Sequence, residues 1–300
     1  MAIQTVRAQV NGQWYTLTLQ ANGKYEATIT APGATSFNQP GGYYNVTVEA
    51  TNTAGTSGTA DASSLEGLKL YVKEKISPII TILSPSGGAY VINNKQPVVF
   101  TITDEAGGSG VNLESVTVKL DGSPVSSEEI THSSISNGYS FTYTPNSPLE
   151  DGSHTVTVDA TDNDGNAAEQ KSTTFTVDTI PPTLNVTSPS EGMVTSTQSL
   201  TVTGTTNDST SSPVTVKISL NGADQGSVTV ESNGAFSKSI TLSEGANVIV
   251  VTATDSAGKT SSVTRNVTLD TSVPKITNAT ITPNPVDAGQ TMIISVEVTE

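Results

Sequence analysis

Acidic residues gather in one short stretch of the chain, at a spacing that could bind a metal ion. Asp159, Asp162 and Asp164 lie within a few residues of one another, and Asp178 and Asp270 follow later apolar segments. Hard cations such as Ca²⁺ are bound by several carboxylate and carbonyl oxygens. The spacing departs from that of a helical calcium loop, and Asp and Asn in tight turns also bond their own backbone. We therefore expect a hairpin turn and no cofactor, with calcium as the alternative.

Aromatic residues are concentrated near the start of the chain. The single tryptophan, Trp14, is joined there by Tyr15, Tyr43 and Tyr44. Exposed aromatic rings suit sugars and protein partners, whereas buried rings fill a core. Both interpretations stay open, and these four residues are the candidates for contact with a glycan or protein on a host surface.

Catalytic residues are not evident in the sequence. Cysteine is absent, and His132 and His154 belong to no recognisable nucleophile motif. The formal net charge of −15 argues against binding to nucleic acid, whose phosphates would repel such a surface. No apolar run is long enough for membrane insertion. The first residues lack the basic and apolar regions of a secretory signal, so we expect a mature fragment or assembly in a cytosol. We predict a protein that is not an enzyme.

The elements that position these residues are repeated strands. Val46–Asn52, Val156–Asp162 and Ile249–Asp255 each alternate apolar and polar residues and lead into a glycine-containing turn. This pattern is typical of a half-buried strand entering a hairpin. Proline-containing joints at Ile76–Gly87 and Ile180–Glu191 align with a shift of 104, since 182 − 78 = 104. The repeats predict an all-β chain of tandem sandwiches arranged as a linear rod.

Four segments follow from aligning the repeats, in the strand letters A to G of an immunoglobulin sandwich. In the third segment strand D is expected at 227–231 and strand B at 199–203. The first segment starts at strand C, with strands A and B missing, and the last resembles strands A and B alone. The predicted boundaries are domain 1 at 1–76, domain 2 at 77–179, domain 3 at 180–272 and a tail at 273–300.

The tail carries the strands that domain 1 lacks, which suggests strand complementation between molecules. The tail of one chain would insert into domain 1 of the next, and head-to-tail contacts that do not close produce filaments. Two alternatives are that the chain is a fragment cut inside a fourth domain, and that domain 1 is a smaller variant that folds alone. The expected assembly residues are Ile276, Ile281, Met292, Ile294, Val296 and Val298.

Several segments resemble bacterial Ig-like domains. Asp159–Asn166 and Phe175–Pro182 are similar to the F–G hairpin and the following joint of these domains, and Thr103–Val111 is similar to their B–C region. The resemblance covers almost the whole chain. It implies Ig-like sandwiches that serve as spacers, stalks or adhesive modules.

A second resemblance points to bacteriophage tails. Val10–Thr18, Lys24–Pro32 and Ile281–Val286 resemble Ig-like proteins from the tail regions of bacteriophages. This implies a virion tail or fibre component that assembles in the host cytoplasm with itself or another virion protein and contacts the host surface. The alternative is an extracellular protein of the bacterial cell surface, either an adhesin stalk or a carbohydrate-binding module of a secreted protein.

Overall fold

The computed structural model describes residues 2–300, so Met1, the first residue of predicted domain 1, lies outside the described range. The chain is almost entirely β and divides into two compact units, one running to Val177 and the other from Asp178 to Glu300. The division lies close to the predicted joint at 179/180, whereas the predicted joints at 76/77 and 272/273 fall inside the units.

Predicted domain 1 forms one main sheet and one short strand pair. Asn11 and Gly12, with φ of 47° and 78°, turn the first hairpin, where positive φ at both central residues matches the twist of the strands. The sheet order is β3-β2-β1-β5-β6, and β4 pairs with β7. The strands are β1 Ile3–Val10, β2 Gln13–Leu19, β3 Tyr25–Glu26, β4 Tyr44–Asn45, β5 Thr47–Asn52, β6 Ser57–Ala60 and β7 Lys69–Leu70.

Predicted domain 2 is a two-sheet sandwich. Its strands are β8 Ile79–Ser84, β9 Ala89–Val91, β10 Val98–Thr103, β11 Thr117–Leu120, β12 Ser123–Pro124, β13 Ile130–Ile135, β14 Gly138–Tyr143, β15 Gly152–Asp159 and β16 Lys171–Val177. One sheet has the order β13-β14-β10-β8 and the other β12-β11-β15-β16-β9. Phe100 stacks on Phe141 in the core, with 5.1 Å between the ring centroids.

Predicted domain 3 repeats this architecture. Its strands are β17 Thr183–Ser188, β18 Met193–Thr195, β19 Ser199–Asn207, β20 Thr215–Leu220, β21 Ala223–Asp224, β22 Ala235–Thr241, β23 Gly245–Thr254 and β24 Thr260–Leu269. The sheet orders are β17-β19-β22 and β18-β24-β23-β20-β21. Strand B occurs as β19. In place of a strand D at 227–231, Val228 and Val230 form isolated bridges to Val216 and Phe236.

The tail forms a hairpin of its own, from β25 Lys275–Thr282 and β26 Ile293–Thr299. All side chains of both strands are exposed. Short 3-10 helices connect strands elsewhere, at Pro40–Gly42, Glu66–Leu68, Leu113–Ser115 and Ser127–Glu129. Across residues 2–300, no helix is long and apolar enough to cross a membrane.

Candidate functional site

Strands β8 and β10 show what the first two strands of a complete sandwich do. They pair antiparallel, with Ile80 opposite Ile102 and Ile82 opposite Phe100. Ile80, Phe100 and Ile102 are buried in the core of domain 2, where the second sheet covers them. An A–B pair thus supplies one apolar face that needs a facing sheet.

The tail hairpin has the same pairing without the facing sheet. Ile276 lies opposite Val298, and Ile281 lies opposite Ile294. Five of the six predicted assembly residues lie on the two strands of this hairpin, and Met292 immediately precedes β26. Their exposed fractions run from 44% to 65%, for Ile276, Ile281, Met292, Ile294, Val296 and Val298. The tail therefore presents apolar side chains to solvent at positions where domain 2 buries them.

Domain 1 has the complementary feature, a sheet whose inner face is partly open. Its β2-β1-β5-β6 arrangement corresponds to the β12-β11-β15-β16 part of domain 2. No strand among residues 2–76 takes the place of β8 or β10. Three residues on and just before β5 are half-buried, whereas their counterparts in domain 2 are buried: Val46, Val48 and Ala50, against Val156, Val158 and Ala160.

The segment that resembles the strand beside the missing pair is also incomplete. In domain 2, β14 pairs over its whole length with β10. The similar segment of domain 1 begins with β3, only Tyr25–Glu26, and residues 27–30 carry no strand. The paired neighbour of β3 among the described residues 2–76 is β2, and no strand there takes the place that β10 has beside β14.

Trp14 lies on the outer face of the domain 1 sheet. Its ring sits 4.3 Å from the guanidinium carbon of Arg7, a cation–π contact, and it is 40% exposed. Arg7 also forms an ion pair of 2.9 Å with Glu49 on the neighbouring strand. Trp14 is thus a partly exposed aromatic group, and its contact with a ligand stays a prediction.

The other three predicted aromatic residues do not join Trp14 in one patch. Tyr15 lies beside it on β2, so its side chain points to the opposite, inner face. Tyr43 packs edge-to-face against Tyr71, with ring centroids 6.1 Å apart. Tyr44 is instead buried, and its hydroxyl donates to the Ala34 carbonyl at 3.2 Å, so it cannot serve as a surface contact.

The predicted calcium residues separate in the structure. Asp159 accepts hydrogen bonds of 2.8 and 3.0 Å from Gln170 and stays apart from the other two. Asp162 is fully buried and accepts two bonds from Asn166. Asp164 accepts from the Thr35 hydroxyl at 2.6 Å and the Glu74 amide at 3.0 Å. Asp162 is thus hydrogen-bonded within the turn, whereas the partners of Asp164 come from distant segments, and both the turn and the calcium interpretation stay predictions.

Other acidic residues lie beside that turn, and no local sequence pattern predicts that they come together. Carboxylate oxygens of Glu74, Asp104 and Glu105 lie within 4.8 Å of one another. Burial raises the pKa of Asp104 above its usual 3.8, and the negative charges of Glu74, Asp162 and Asp164 add to the effect, against a lowering hydrogen bond from the Gly110 amide. The shift of 104 between joints could have revealed the cluster, as it relates Glu74 to Asp178.

The second unit contains a similar cluster. Asp178, Asp208 and Asp255 bring carboxylate oxygens within 4.8 Å of one another. Asp178 is fully buried and accepts from the Ser211 hydroxyl. Asp270, the other joint aspartate of the calcium hypothesis, is half-buried and accepts from the Ser272 amide and hydroxyl. Those hydrogen bonds lower the pKa of Asp270.

Both histidines contact other side chains of domain 2. His132 packs against the rings of Tyr139 and Phe141, each 5.6 Å away. His154 bonds the Asp121 carboxylate and the Glu150 carbonyl, both at 2.8 Å. Burial lowers the pKa of His154, but these two hydrogen bonds and the Asp121 charge outweigh it and raise the pKa above 6.5.

Two family models match parts of this chain. Residues 84–179 match the family model of a bacterial Ig-like domain. Residues 182–271 match a different model, described as domain B of glucodextranase. No curated protein matches the chain in sequence. The chain therefore contains tandem Ig-like β-sandwiches, and the first match supports a non-enzymatic structural or adhesive role. The resemblance to bacteriophage tail proteins stays a prediction.

Solved structures with similar folds have low identity to the chain. Fibronectin(III)-like modules of Clostridium thermocellum CbhA are 20% identical, with 64% of this chain and 94% of theirs covered and a TM-score of 0.40. Titin domains A168–A170 are 17% identical, with 87% and 86% covered and a TM-score of 0.41. A bacterial ice-binding adhesin is 21% identical, with 89% and 86% covered and a TM-score of 0.33.

Proposed function

We propose that this is a non-enzymatic structural protein that assembles head to tail, the tail hairpin of one copy completing domain 1 of the next. The observation that carries the proposal is the exposed apolar face of β25 and β26. Its pairing follows that of β8 and β10, whose inward side chains are buried. A second copy of the chain is the occupant for which domain 1 offers a matching open face.

Backbone pairing would add to the apolar contacts. In domain 2, β10 lies between β8 and β14. By analogy, β26 of a neighbour would lie beside residues 24–30 of domain 1 and extend β3 into a full strand. Adding a strand to an open sheet edge gains affinity from the backbone bonds and register from side-chain pockets. Head-to-tail contacts that do not close on themselves build filaments.

Sedimentation velocity and electron microscopy of the full chain and of a chain ending at Thr271 test this proposal. At tens of micromolar, the full chain is expected to form assemblies that lengthen with concentration, and the shortened chain is expected to stay monomeric. Two well-folded monomers would refute head-to-tail assembly. Assemblies of equal size from both chains would place the contact elsewhere.

A tail or fibre of a bacteriophage virion is the setting that we propose for this assembly. The support is the similarity of Val10–Thr18, Lys24–Pro32 and Ile281–Val286 to bacteriophage tail proteins. Another virion protein with a similar open sheet would serve equally as partner. Contact with a host-surface glycan or protein would then involve Trp14 on the outer face of domain 1.

The second candidate is a stalk or carbohydrate-binding module at the bacterial cell surface. The match of residues 84–179 to a bacterial Ig-like domain favours it. Antibody labelling of purified virions and of intact bacterial cells distinguishes a virion tail component from a cell-surface module. Label on virions alone supports the tail component, and label on uninfected cells supports the surface module.

A further inference from the structure

We propose that each unit contains a calcium site, formed in unit 1 by Glu74, Asp104 and Glu105 and in unit 2 by Asp178, Asp208 and Asp255. In each cluster the carboxylate oxygens lie within 4.8 Å of one another. Two oxygens bound to one Ca²⁺ at about 2.4 Å are at most about 4.8 Å apart. The spacing therefore allows one ion to touch all three residues of a cluster.

Each cluster contains buried carboxylate oxygens that have no hydrogen-bond partner in the protein. Glu74 Oε2, Asp104 Oδ1 and Glu105 Oε2 are all buried, and none has a hydrogen-bond partner; in the second cluster the same is true of Asp255 Oδ2. Asp104 is 8% exposed and Asp255 is 5% exposed. Burying an unpaired carboxylate is costly unless a cation or a donor compensates it.

The other carboxylate oxygen of Asp104, Glu74 and Asp255 accepts a backbone hydrogen bond. Asp104 Oδ2 accepts from the Gly110 amide at 2.7 Å, and Glu74 Oε1 accepts from the Ser109 amide. Asp255 Oδ1 accepts from the Lys259 amide at 2.8 Å. Each of these three residues thus has one oxygen bonded to a backbone amide and a second oxygen that is available to a ligand.

No positive side chain neutralises either cluster. The ion pairs described within residues 2–300 are Arg7–Glu49, Lys69–Glu66, His154–Asp121 and Lys171–Glu169, and none includes a cluster residue. Burial and the neighbouring negative charges raise the pKa of Asp104. An external cation would remove this repulsion.

The two clusters occupy equivalent places in the repeat. Glu74 and Asp178 precede strand A by the same interval, since 178 − 74 = 104, and Asp104 and Asp208 follow strand B, since 208 − 104 = 104. The third position, at the end of strand F, is Asp255 in the second cluster and the fully buried Asp162 beside the first. Recurrence of acids at three positions that are distant in sequence indicates a shared requirement.

The ligand chemistry favours calcium. All the ligand groups are oxygens, whereas zinc prefers His and Cys, and neither cluster contains them. Magnesium demands a compact octahedron and retains several waters, while calcium accepts six to eight oxygens in an irregular arrangement. Asp162 and Asp164 lie close enough to the first cluster to add charge.

Calorimetric titration of the full chain with CaCl₂, beside thermal unfolding in calcium and in EDTA, tests this inference. We expect about two ions per chain, and we expect Asp104→Asn and Asp208→Asn each to remove one. Asp159→Asn is the matched control, because it removes the same charge from a residue bonded to Gln170 outside both clusters. It should leave the stoichiometry unchanged.

The sign of the thermal effect separates a metal site from a merely structural carboxylate. In calcium, Asp104→Asn should lower the unfolding temperature of unit 1, because the bound ion is lost. In EDTA, the same variant should unfold at an equal or higher temperature than the parent chain, because a repelling charge is gone. Absence of calcium binding, or an equal loss of stability in both buffers, would overturn the proposal. An equal response to the same concentration of magnesium would overturn the assignment to calcium.

Discussion

Replacing two residues on the exposed apolar face of the tail hairpin, Ile294→Asp together with Val296→Asp, should abolish head-to-tail assembly. The six apolar residues of the hairpin are about half exposed. Burying the remaining half of each gains about 0.8–1.5 kcal/mol, or about 5–9 kcal/mol for the set. Association itself costs about 4–15 kcal/mol, which is similar in size to the free energy gained by burying these side chains.

The double variant loses about 1.5–3 kcal/mol of that gain and must also bury two carboxylates, at several kcal/mol each. Since each 1.4 kcal/mol changes a dissociation constant about tenfold, we expect binding to weaken at least 100-fold. Sedimentation velocity across a concentration series measures this directly. Ile293→Asp is the matched control, because alternation along β26 points Ile293 to the opposite face, and it should assemble almost normally. Equal loss in both variants, or in neither, would refute the assigned face.

Three further predictions concern the stability of the individual sandwiches. Because the pKa of His154 is raised above 6.5, its protonated form stabilises unit 1 below about pH 6.5, and that stability is lost as pH rises through the folded-state pKa. Asp121→Asn should therefore reduce the difference in unfolding temperature between pH 6 and pH 8.5. An unchanged difference would contradict the role given to Asp121. Phe100→Ala should cost about 3–5 kcal/mol in urea unfolding, because Phe100 is completely buried in the core, whereas Phe37→Ala, at an exposed site, should cost far less. Gly204→Ala should cost about 1–3 kcal/mol or more by the same assay, because an added Cβ would lie 2.4 Å from a backbone oxygen; a neutral result would mean that the two strands can separate there.

Alternating apolar residues were sufficient to predict the sheets. Strand B of domain 3 was predicted at 199–203 and occurs within Ser199–Asn207, because its inward side chains meet one continuous core. The strand D that the sequence predicts at 227–231 does not occur as a regular strand. Val228 and Val230 make only isolated bridges to two different partners, and such partner choice depends on the facing strands rather than on the local pattern.

The acidic sites show where local sequence falls short. Asp159 was grouped with Asp162 and Asp164 because they are neighbours in the chain. Alternation along β15 could have separated it, since Val158 and Ala160 point inward and Asp159 therefore points outward. Glu74 and Asp104 were missed because they lie on different segments that only the folded sandwich brings together.

The half-buried Val46 and Val48 of domain 1 have a consequence for any assembly built from this chain. A filament of such molecules would have two different ends, with an open domain 1 sheet at one end and a free tail hairpin at the other. A chain ending at Thr271 keeps the open sheet and lacks the hairpin, so it could join only the hairpin terminus and would then block growth there. Substoichiometric amounts would act as a cap and set the length distribution.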